Sequence, residues 1–261
     1  RSIIKNDKGE SCQKNILDFS CKFNETGTKS EVILIGTSHL AALSASITNR
    51  LITNDHPVTI LTSGGCPYML DFYHFDRVWC NEEYMEKIRS YLSERDESSV
   101  VIYLIRYAYY MEEKMNSDPD YHLNIPTMLS KSDSNIFQGL TNTLDDILNL
   151  GHKLVMIYPV PEIGKNVPKE YRKKIYNKNY ELYLPYKKFL DRNINIIHTL
   201  NSIDDENAYH VLPENVLCED KTRCITKINK KILYNDTNHL SVHGSELIAP
   251  MIFNLPIFKT E

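Results

Sequence analysis

The chain contains four short, nearly uninterrupted apolar runs, and polar stretches with helical spacing separate them. Strands that are apolar on both faces are typical of parallel sheets covered by helices on both sides. Alternation of such strands with helices favours a doubly wound α/β fold. We therefore predict an α/β domain with a mainly parallel sheet, its strands at residues 32–35, 58–62, 99–105 and 153–158.

The intervals between these runs predict most of the helices. Apolar residues recur at helical spacing over residues 40–49, 82–94, 137–150, 171–189 and 241–253, and residues 194–198 have the composition of a short strand. Residues 111–135 are polar and irregular. We predict an N-terminal extension over residues 1–30 and one catalytic domain over residues 31–261.

Composition excludes some classes of function. The 261 residues are 42% hydrophobic and carry a net charge of −4, with lysines scattered among acids. Nucleic-acid binding requires a basic surface, so we do not expect a nucleic-acid partner. No apolar run approaches the roughly 20 residues that cross a bilayer.

The six cysteines fall into three local pairs, and none has the C-x-x-C spacing of a metal site. We predict the disulfides Cys12–Cys21, Cys66–Cys80 and Cys218–Cys224, which would persist only in an oxidising compartment. The alternative is six reduced thiols in a cytosolic protein. The polar sequence around four of the cysteines argues against it. We expect neither a metal ion nor a cofactor.

Ser38 is a candidate nucleophile. It follows the apolar run at residues 32–35 and Gly36, where a strand would turn into a helix. A hydroxyl at such a turn lies near helix N-terminal amides, which stabilise developing negative charge. The same pattern can serve only to turn the chain and cap the helix.

Asp236 and His239 supply the other parts of a catalytic triad. Residues three apart can be neighbours across one tight turn, so the carboxylate can hold one ring nitrogen while the other faces a nucleophile. We predict that Ser38 attacks an acyl carbon, that His239 transfers the proton, and that Asp236 orients the ring. Alternatively, Asp236 is a helix cap and His239 a buried structural histidine.

Several blocks of sequence resemble those of SGNH hydrolases. Residues 33–39 resemble the family's first block, with Thr37 in place of its aspartate, and Asp236-x-x-His239 resembles its last block. The closest resemblance is to the periplasmic SGNH domain of type 3 membrane acyltransferases, which O-acetylate bacterial surface polysaccharides. That subgroup also has a cysteine-proline turn, a P-x-P-E block and a late cysteine pair, which here are Cys66-Pro67, residues 159–162 and Cys218…Cys224.

The resemblance implies a flavodoxin-like SGNH sheet and an oxyanion hole. Its donors would be the amide of Ser38 and that of Gly64 or Gly65. The block-three asparagine of the family is missing, and Arg106 occupies that region, so Arg106 is a candidate for oxyanion or acyl positioning. A structural ion pair is the alternative role for Arg106.

The resemblance also implies a function and a location. The chain would transfer an acetyl group through Ser38 to sugar hydroxyls of a polysaccharide, with the acyl donor delivered by a membrane acyltransferase domain. It would be extracytoplasmic and a fragment of a membrane-anchored protein. A secreted carbohydrate esterase with water as acceptor is one alternative, and a catalytically weak glycan-binding module is another.

Overall fold

The computed structural model describes residues 4–6, 9–14, 21–74, 77–95, 99–111, 128–131, 135–177 and 179–259. In chain order, the strands are β1 Gln13–Lys14, β2 Lys22–Phe23, β3 Val32–Gly36, β4 Val58–Ser63, β5 Phe72–His74, β6 Val100–Leu104, β7 Met128–Ser130, β8 Lys153–Ile157, β9 Tyr183–Pro185, β10 Ala208–Val211, β11 Cys218–Glu219, β12 Arg223–Ile225, β13 Lys227–Ile228 and β14 Lys231–Ile232.

The helices alternate with the long strands. They are α1 Ser38–Thr53, α2 Glu82–Ser93, α3 Tyr107–Met111, α4 Ile136–Asn149, α5 Val167–Lys173, α6 Tyr186–Asn201, α7 Glu214–Leu217 and α8 Val242–Phe253, with a 3₁₀ turn at Pro256–Phe258. No helix among the described residues is both long and apolar enough to cross a membrane.

Within the described residues, the main sheet has the strand order β1-β4-β3-β6-β8-β10, and β2 also pairs with β4. Strands β4, β3, β6, β8 and β10 are all parallel. Helix α1 packs against α8, and α4 packs against α6, so helices flank the sheet. Strand β3 precedes β4 and β6 in the chain yet lies between them, which is the 2-1-3-4-5 order of flavodoxin-like folds. The predicted fold class is confirmed.

The buried strands explain why the sequence folds in this way. All five residues of β3 and of β6 are buried, so the side chains on both faces of these strands are removed from water. Full burial of Val, Ile or Leu stabilises a fold by about 1.5–3 kcal/mol per side chain. The apolar runs therefore specify the centre of the sheet.

Two secondary-structure predictions were wrong. Residues 171–189 form no single helix: α5 ends at Lys173, Leu184 pairs with Cys224 in an antiparallel sheet, and α6 begins after Pro185. Proline disfavours helical backbone in the residue before it, so Leu184 adopts the extended form. The strand predicted at residues 194–198 lies inside α6 instead.

The N-terminal segment joins the main sheet at its outer edge. Residues Gln13–Lys14 pair in parallel with β4, and Lys22–Phe23 pair antiparallel to it. The domain boundary at residue 30 stays a prediction. Most of the region 111–135, predicted to be irregular, lies outside the described residues, but Met128–Ser130 within it form β7, which pairs with β5.

The three predicted disulfides are present. Cys12–Cys21, Cys66–Cys80 and Cys218–Cys224 close loops with sequence separations of 9, 14 and 6 residues. No free cysteine remains. The first bond lies beside the edge strands, the second closes the segment that follows β4, and the third joins β11 to β12.

We predict that replacing both cysteines of the pair Cys66–Cys80 with serine lowers the free energy of unfolding by about 3 kcal/mol. The pair Cys218–Cys224 closes a shorter loop, so its double serine variant should lose about 2 kcal/mol. Urea unfolding of both variants and the parent measures the difference. A larger loss from the shorter loop would contradict the loop-entropy explanation, and six alkylatable thiols in oxidised parent protein would contradict the disulfides themselves.

Candidate active site

Ser38 lies where β3 passes into α1, at the carboxyl edge of the sheet. Gly36 is required there because a Cβ atom at this position would lie 2.0 Å from the carbonyl oxygen of Leu104. Thr37 is extended, and its N–H donates to the same carbonyl at 3.1 Å. The first residues of a helix have N–H groups without an intrahelical partner, so the amide of Ser38 is available to a ligand.

Asp236 and His239 lie in a tight loop between Tyr234 and Leu240, which form an antiparallel bridge. The N–H of Asn235 donates to the carbonyl of His239 at 2.8 Å and closes the loop. This turn brings the two side chains of the Asp-x-x-His pair together.

Hydrogen bonds join the three candidate catalytic residues in a continuous row. Nδ1 of His239 lies 2.8 Å from Oδ2 of Asp236, and its Nε2 lies 2.8 Å from Oγ of Ser38. A carboxylate only accepts hydrogen bonds, so Nδ1 carries the proton and Nε2 is free to accept from the serine hydroxyl. This is the geometry of a Ser-His-Asp triad.

The carboxylate of Asp236 is held in its ionised form. Burial by itself would raise its pKa, but the hydrogen bond from His239 and the N–H groups of Asn238 and His239 lower the pKa far below its usual range. Those N–H groups donate to Oδ1 at 3.0 and 2.9 Å. Asp236 therefore stays negative while it orients the ring of His239.

His39 packs beside the triad, with its ring edge-on to that of His239 and the centroids 5.4 Å apart. Burial lowers the pKa of His39 to about 3. Its Nε2 lies 3.1 Å from Oδ1 of Asn238, so the neutral ring donates to that oxygen. Helix α1 is thereby tied directly to the loop of Asp236. His243, the other histidine of this stretch, is exposed on α8.

Arg106 lies at the same edge of the sheet, after β6. Its main-chain N–H donates to Oγ1 of Thr37 at 3.1 Å, which gives the unusual threonine of the first block a structural role. Its guanidinium donates to Oε2 of Glu162 from Nε at 3.0 Å and from Nη2 at 2.5 Å. The guanidinium carbon Cζ of Arg106 lies 5.0 Å from the centre of the Tyr109 ring.

Glu162 is buried between two cations. Arg192, which is also buried, brings Nη2 to 3.5 Å from Oε2 of Glu162, the same oxygen that Arg106 contacts. Burial would raise the pKa of Glu162, yet the two guanidinium groups lower it to about 2. Glu162 is the acid of the P-x-P-E block, so that block supplies a fixed negative charge near the site.

The register of the parallel strands places Gly64 and Gly65 at the same edge of the sheet as Ser38. Gly36 pairs with Thr62 on one side and with Leu104 on the other, so positions 38, 64 and 106 are equivalent positions beyond three neighbouring strands. Gly65 has a φ of +84°, and a Cβ there would collide with the guanidinium of Arg77, which donates to the carbonyl of Gly65. None of the hydrogen bonds found among the described residues joins Gly64, Gly65 or Arg106 to Ser38.

Sequence reasoning missed three contributors to this arrangement. They are Arg77, which donates to the carbonyl of Gly65, Asn238, which accepts from His39, and Arg192, which forms an ion pair with Glu162. Each acts across a long sequence separation, and no local spacing indicates it. Among the described residues, no cluster of three or more His, Cys, Asp or Glu side chains could hold a metal ion.

Comparison with known proteins identifies the family. The sequence profile of the SGNH domain that is fused to AT3 domains matches residues 10–254. No curated protein matches the chain. The periplasmic domain of a lipopolysaccharide acetyltransferase from Salmonella ser. Paratyphi A is 18% identical with a TM-score of 0.59, over 87% of this chain and 83% of that one.

A second solved structure, the acetyl xylan esterase AlAXEase, is 13% identical with a TM-score of 0.42, over 85% of this chain and 98% of the other. The likeness to the acetyltransferase domain shows a shared fold, and the profile covers most of the chain. The chain therefore belongs to the SGNH domains that are fused to AT3 domains, a family of enzymes that handle acyl groups.

Proposed function

We propose that this chain takes an acetyl group onto Ser38 and passes it to a sugar hydroxyl of a cell-surface polysaccharide. The observation that carries the proposal is the row of hydrogen bonds from Ser38 through His239 to Asp236, 2.8 Å at each link. A serine, a base and an orienting acid in this order are the parts needed for covalent acyl transfer.

In the first step, Oγ of Ser38 attacks the acyl carbon and its proton passes to Nε2 of His239. Asp236 stabilises the resulting imidazolium. The leaving group then takes that proton as its bond to the acyl carbon breaks, which leaves an ester on Ser38. In the second step, the acceptor hydroxyl gives its proton to His239 and attacks the ester, and Ser38 regains a proton from His239.

The developing oxyanion needs donors at the carboxyl edge of the sheet. We assign this role to the amide of Ser38 and to the amide of Gly64 or Gly65. The guanidinium of Arg77 donates to the carbonyl of Gly65 and so holds the turn that contains the two glycines. Arg106 is assigned to positioning the acyl group, because its guanidinium is partly exposed and is fixed by Glu162.

The fusion partner of the family supports transfer over hydrolysis. An AT3 domain would deliver the acyl donor from the membrane, and the SGNH domain would complete the transfer outside the cytoplasm. The three disulfides support that location, since such bonds persist in oxidising compartments. The solved structure that shares the fold is described as the periplasmic domain of a lipopolysaccharide acetyltransferase.

We expect Ser38→Ala to lower the turnover of p-nitrophenyl acetate by on the order of 1,000-fold or more, because the covalent route is lost. Ser93→Ala, an exposed serine on α2, is the matched control and should retain full activity. Initial rates of p-nitrophenol release measure both. Equal rates for Ser38→Ala and the parent, with no phosphonate label on Ser38, would leave only the glycan-binding alternative.

Transfer and hydrolysis differ in their products. With an acetyl ester and oligosaccharides of the polysaccharide present, we expect acetylated sugar that depends on Ser38. Mass spectrometry of the sugars and titration of free acetate measure the two routes. If acetate alone accumulates at every acceptor concentration, the domain is an esterase with water as its acceptor.

His39 should make the protein less stable in mild acid. The folded chain keeps this ring neutral down to about pH 3, whereas the unfolded chain binds the proton near its ordinary pKa of about 6.5. The free energy of unfolding therefore falls as pH falls through this window, by up to about 1.4 kcal/mol per pH unit from this group. His39→Gln keeps a donor for Asn238 and should flatten the dependence between about pH 6.5 and 4.5.

Urea unfolding at several pH values measures this slope for His39→Gln, the parent and the control His243→Gln, whose ring is exposed. The control should follow the parent. A slope for His39→Gln equal to that of the parent would show that His39 is not held neutral in the folded chain.

A further inference from the structure

An exposed tip of apolar and basic residues is formed by most of helix α5 and the turn that follows it. We call residues 169–176 the basic tip. The side chain of Ile175 is 69% exposed and that of Tyr176 is 99% exposed, side by side at the end of the helix. Burial of two adjacent large apolar side chains on a partner would be favourable, which makes this pair a candidate contact surface.

Four exposed cations precede these two side chains in the sequence. Lys169, Arg172, Lys173 and Lys174 are all exposed within the tip, whereas Glu170 is its single acid. Glu170 accepts a hydrogen bond from Lys173 at 2.7 Å and so is already compensated. The chain as a whole has a net charge of −4, so the tip has the opposite sign to the rest of the molecule.

One further cation contacts the tip from strand β13, and a second lies on strand β12. The ammonium group of Lys227 lies 4.7 Å from the ring centre of Tyr171, on α5. Arg223 lies against the exposed ring of Tyr183 at 5.7 Å and holds the nearby acids Glu181 and Glu219 in ion pairs. Arg223 therefore partly compensates these two acids, and the net positive charge lies on the basic tip and Lys227.

The tip is joined rigidly to the loop of the triad. The N–H of Ile163 donates to the carbonyl of Thr237 at 2.8 Å, and the N–H of Val167 donates to that of Asp236 at 3.2 Å. Helix α5 begins at Val167, so its far end lies within roughly 15 Å of that loop at 1.5 Å per residue. A partner bound to the tip would lie near the loop that carries Asp236 and His239.

We propose that the basic tip docks on a membrane surface that contains anionic lipids, with Ile175 and Tyr176 in the interfacial layer. Tyrosine is favoured at the level of the headgroups, and lysines and arginines there attract anionic phosphates. An acidic polysaccharide would also attract the cations. The aliphatic side chain of Ile175 favours lipid, because it offers neither a hydrogen bond nor a stacking face to a sugar. Docking would hold the acyl site beside the membrane.

Flotation of the 261-residue chain with vesicles tests the proposal. We expect binding to vesicles rich in phosphatidylglycerol, little binding to pure phosphatidylcholine, and a severalfold loss when NaCl rises from about 20 to about 200 mM. Ile175→Ser with Tyr176→Ser, and separately Lys169→Gln with Lys174→Gln, should each lower the vesicle partition coefficient by about tenfold or more.

Matched controls distinguish an effect of the tip from general effects of positive charge and of exposed apolar side chains. Lys87→Gln with Lys259→Gln removes the same charge elsewhere, and Val78→Ser removes another exposed apolar side chain. Both controls should bind as the parent does. Ser38→Ala should also bind normally, and the tip variants should keep their activity on p-nitrophenyl acetate, so this test is independent of the catalytic proposal.

Three results would overturn the proposal. They are no flotation at low salt, equal loss of binding in the controls and the tip variants, and binding to polygalacturonate that is tighter than to anionic vesicles and lost in the tip variants. The last result would assign the tip to an acidic polysaccharide instead.

Discussion

The close pairing of β3 with β4 on one side and β6 on the other determines where Ser38, the glycine turn and Arg106 lie. The backbone of Gly36 approaches the carbonyl of Leu104 so closely that a side chain would force the two strands apart. Because the strands are parallel and in fixed register, the residues that follow them reach one edge together. Ser38, the glycine turn and Arg106 are therefore neighbours at a topological switch point, where doubly wound sheets bind their ligands.

The sequence predicted the centre of this sheet well and its periphery poorly. Runs such as Val32–Gly36 and Val100–Leu104 are apolar on both faces, and burial alone specifies them. Strand β10 was missed because three of its four residues are only half-buried. The error over residues 171–189 has a similar origin: the strand at Tyr183–Pro185 exists through its pairing with β12, which lies far along the chain.

The candidate site likewise has residues that local sequence predicts and contacts that it does not predict. Ser38 stands after a strand and a glycine, and Asp236 and His239 stand three residues apart, so local spacing was sufficient to propose them. The contacts that hold them were not predictable, because His39 meets Asn238 across 199 residues and Arg106 meets Glu162 across 56. Thr37 illustrates the limit: its hydroxyl accepts the N–H of Arg106, a partner that no local pattern indicates.

The charges near Ser38 leave the ring of His239 as the group that carries the proton in the proposed reaction. Burial keeps His39 neutral, and two arginines keep Glu162 ionised. The pKa of Asp236 is held far below its usual range, so in the proposed mechanism the imidazolium on His239 would meet a carboxylate already in place. This arrangement serves a sugar hydroxyl and a water molecule equally well. The choice between transfer and hydrolysis must therefore depend on the surfaces around the triad, which bring the acceptor close and exclude water.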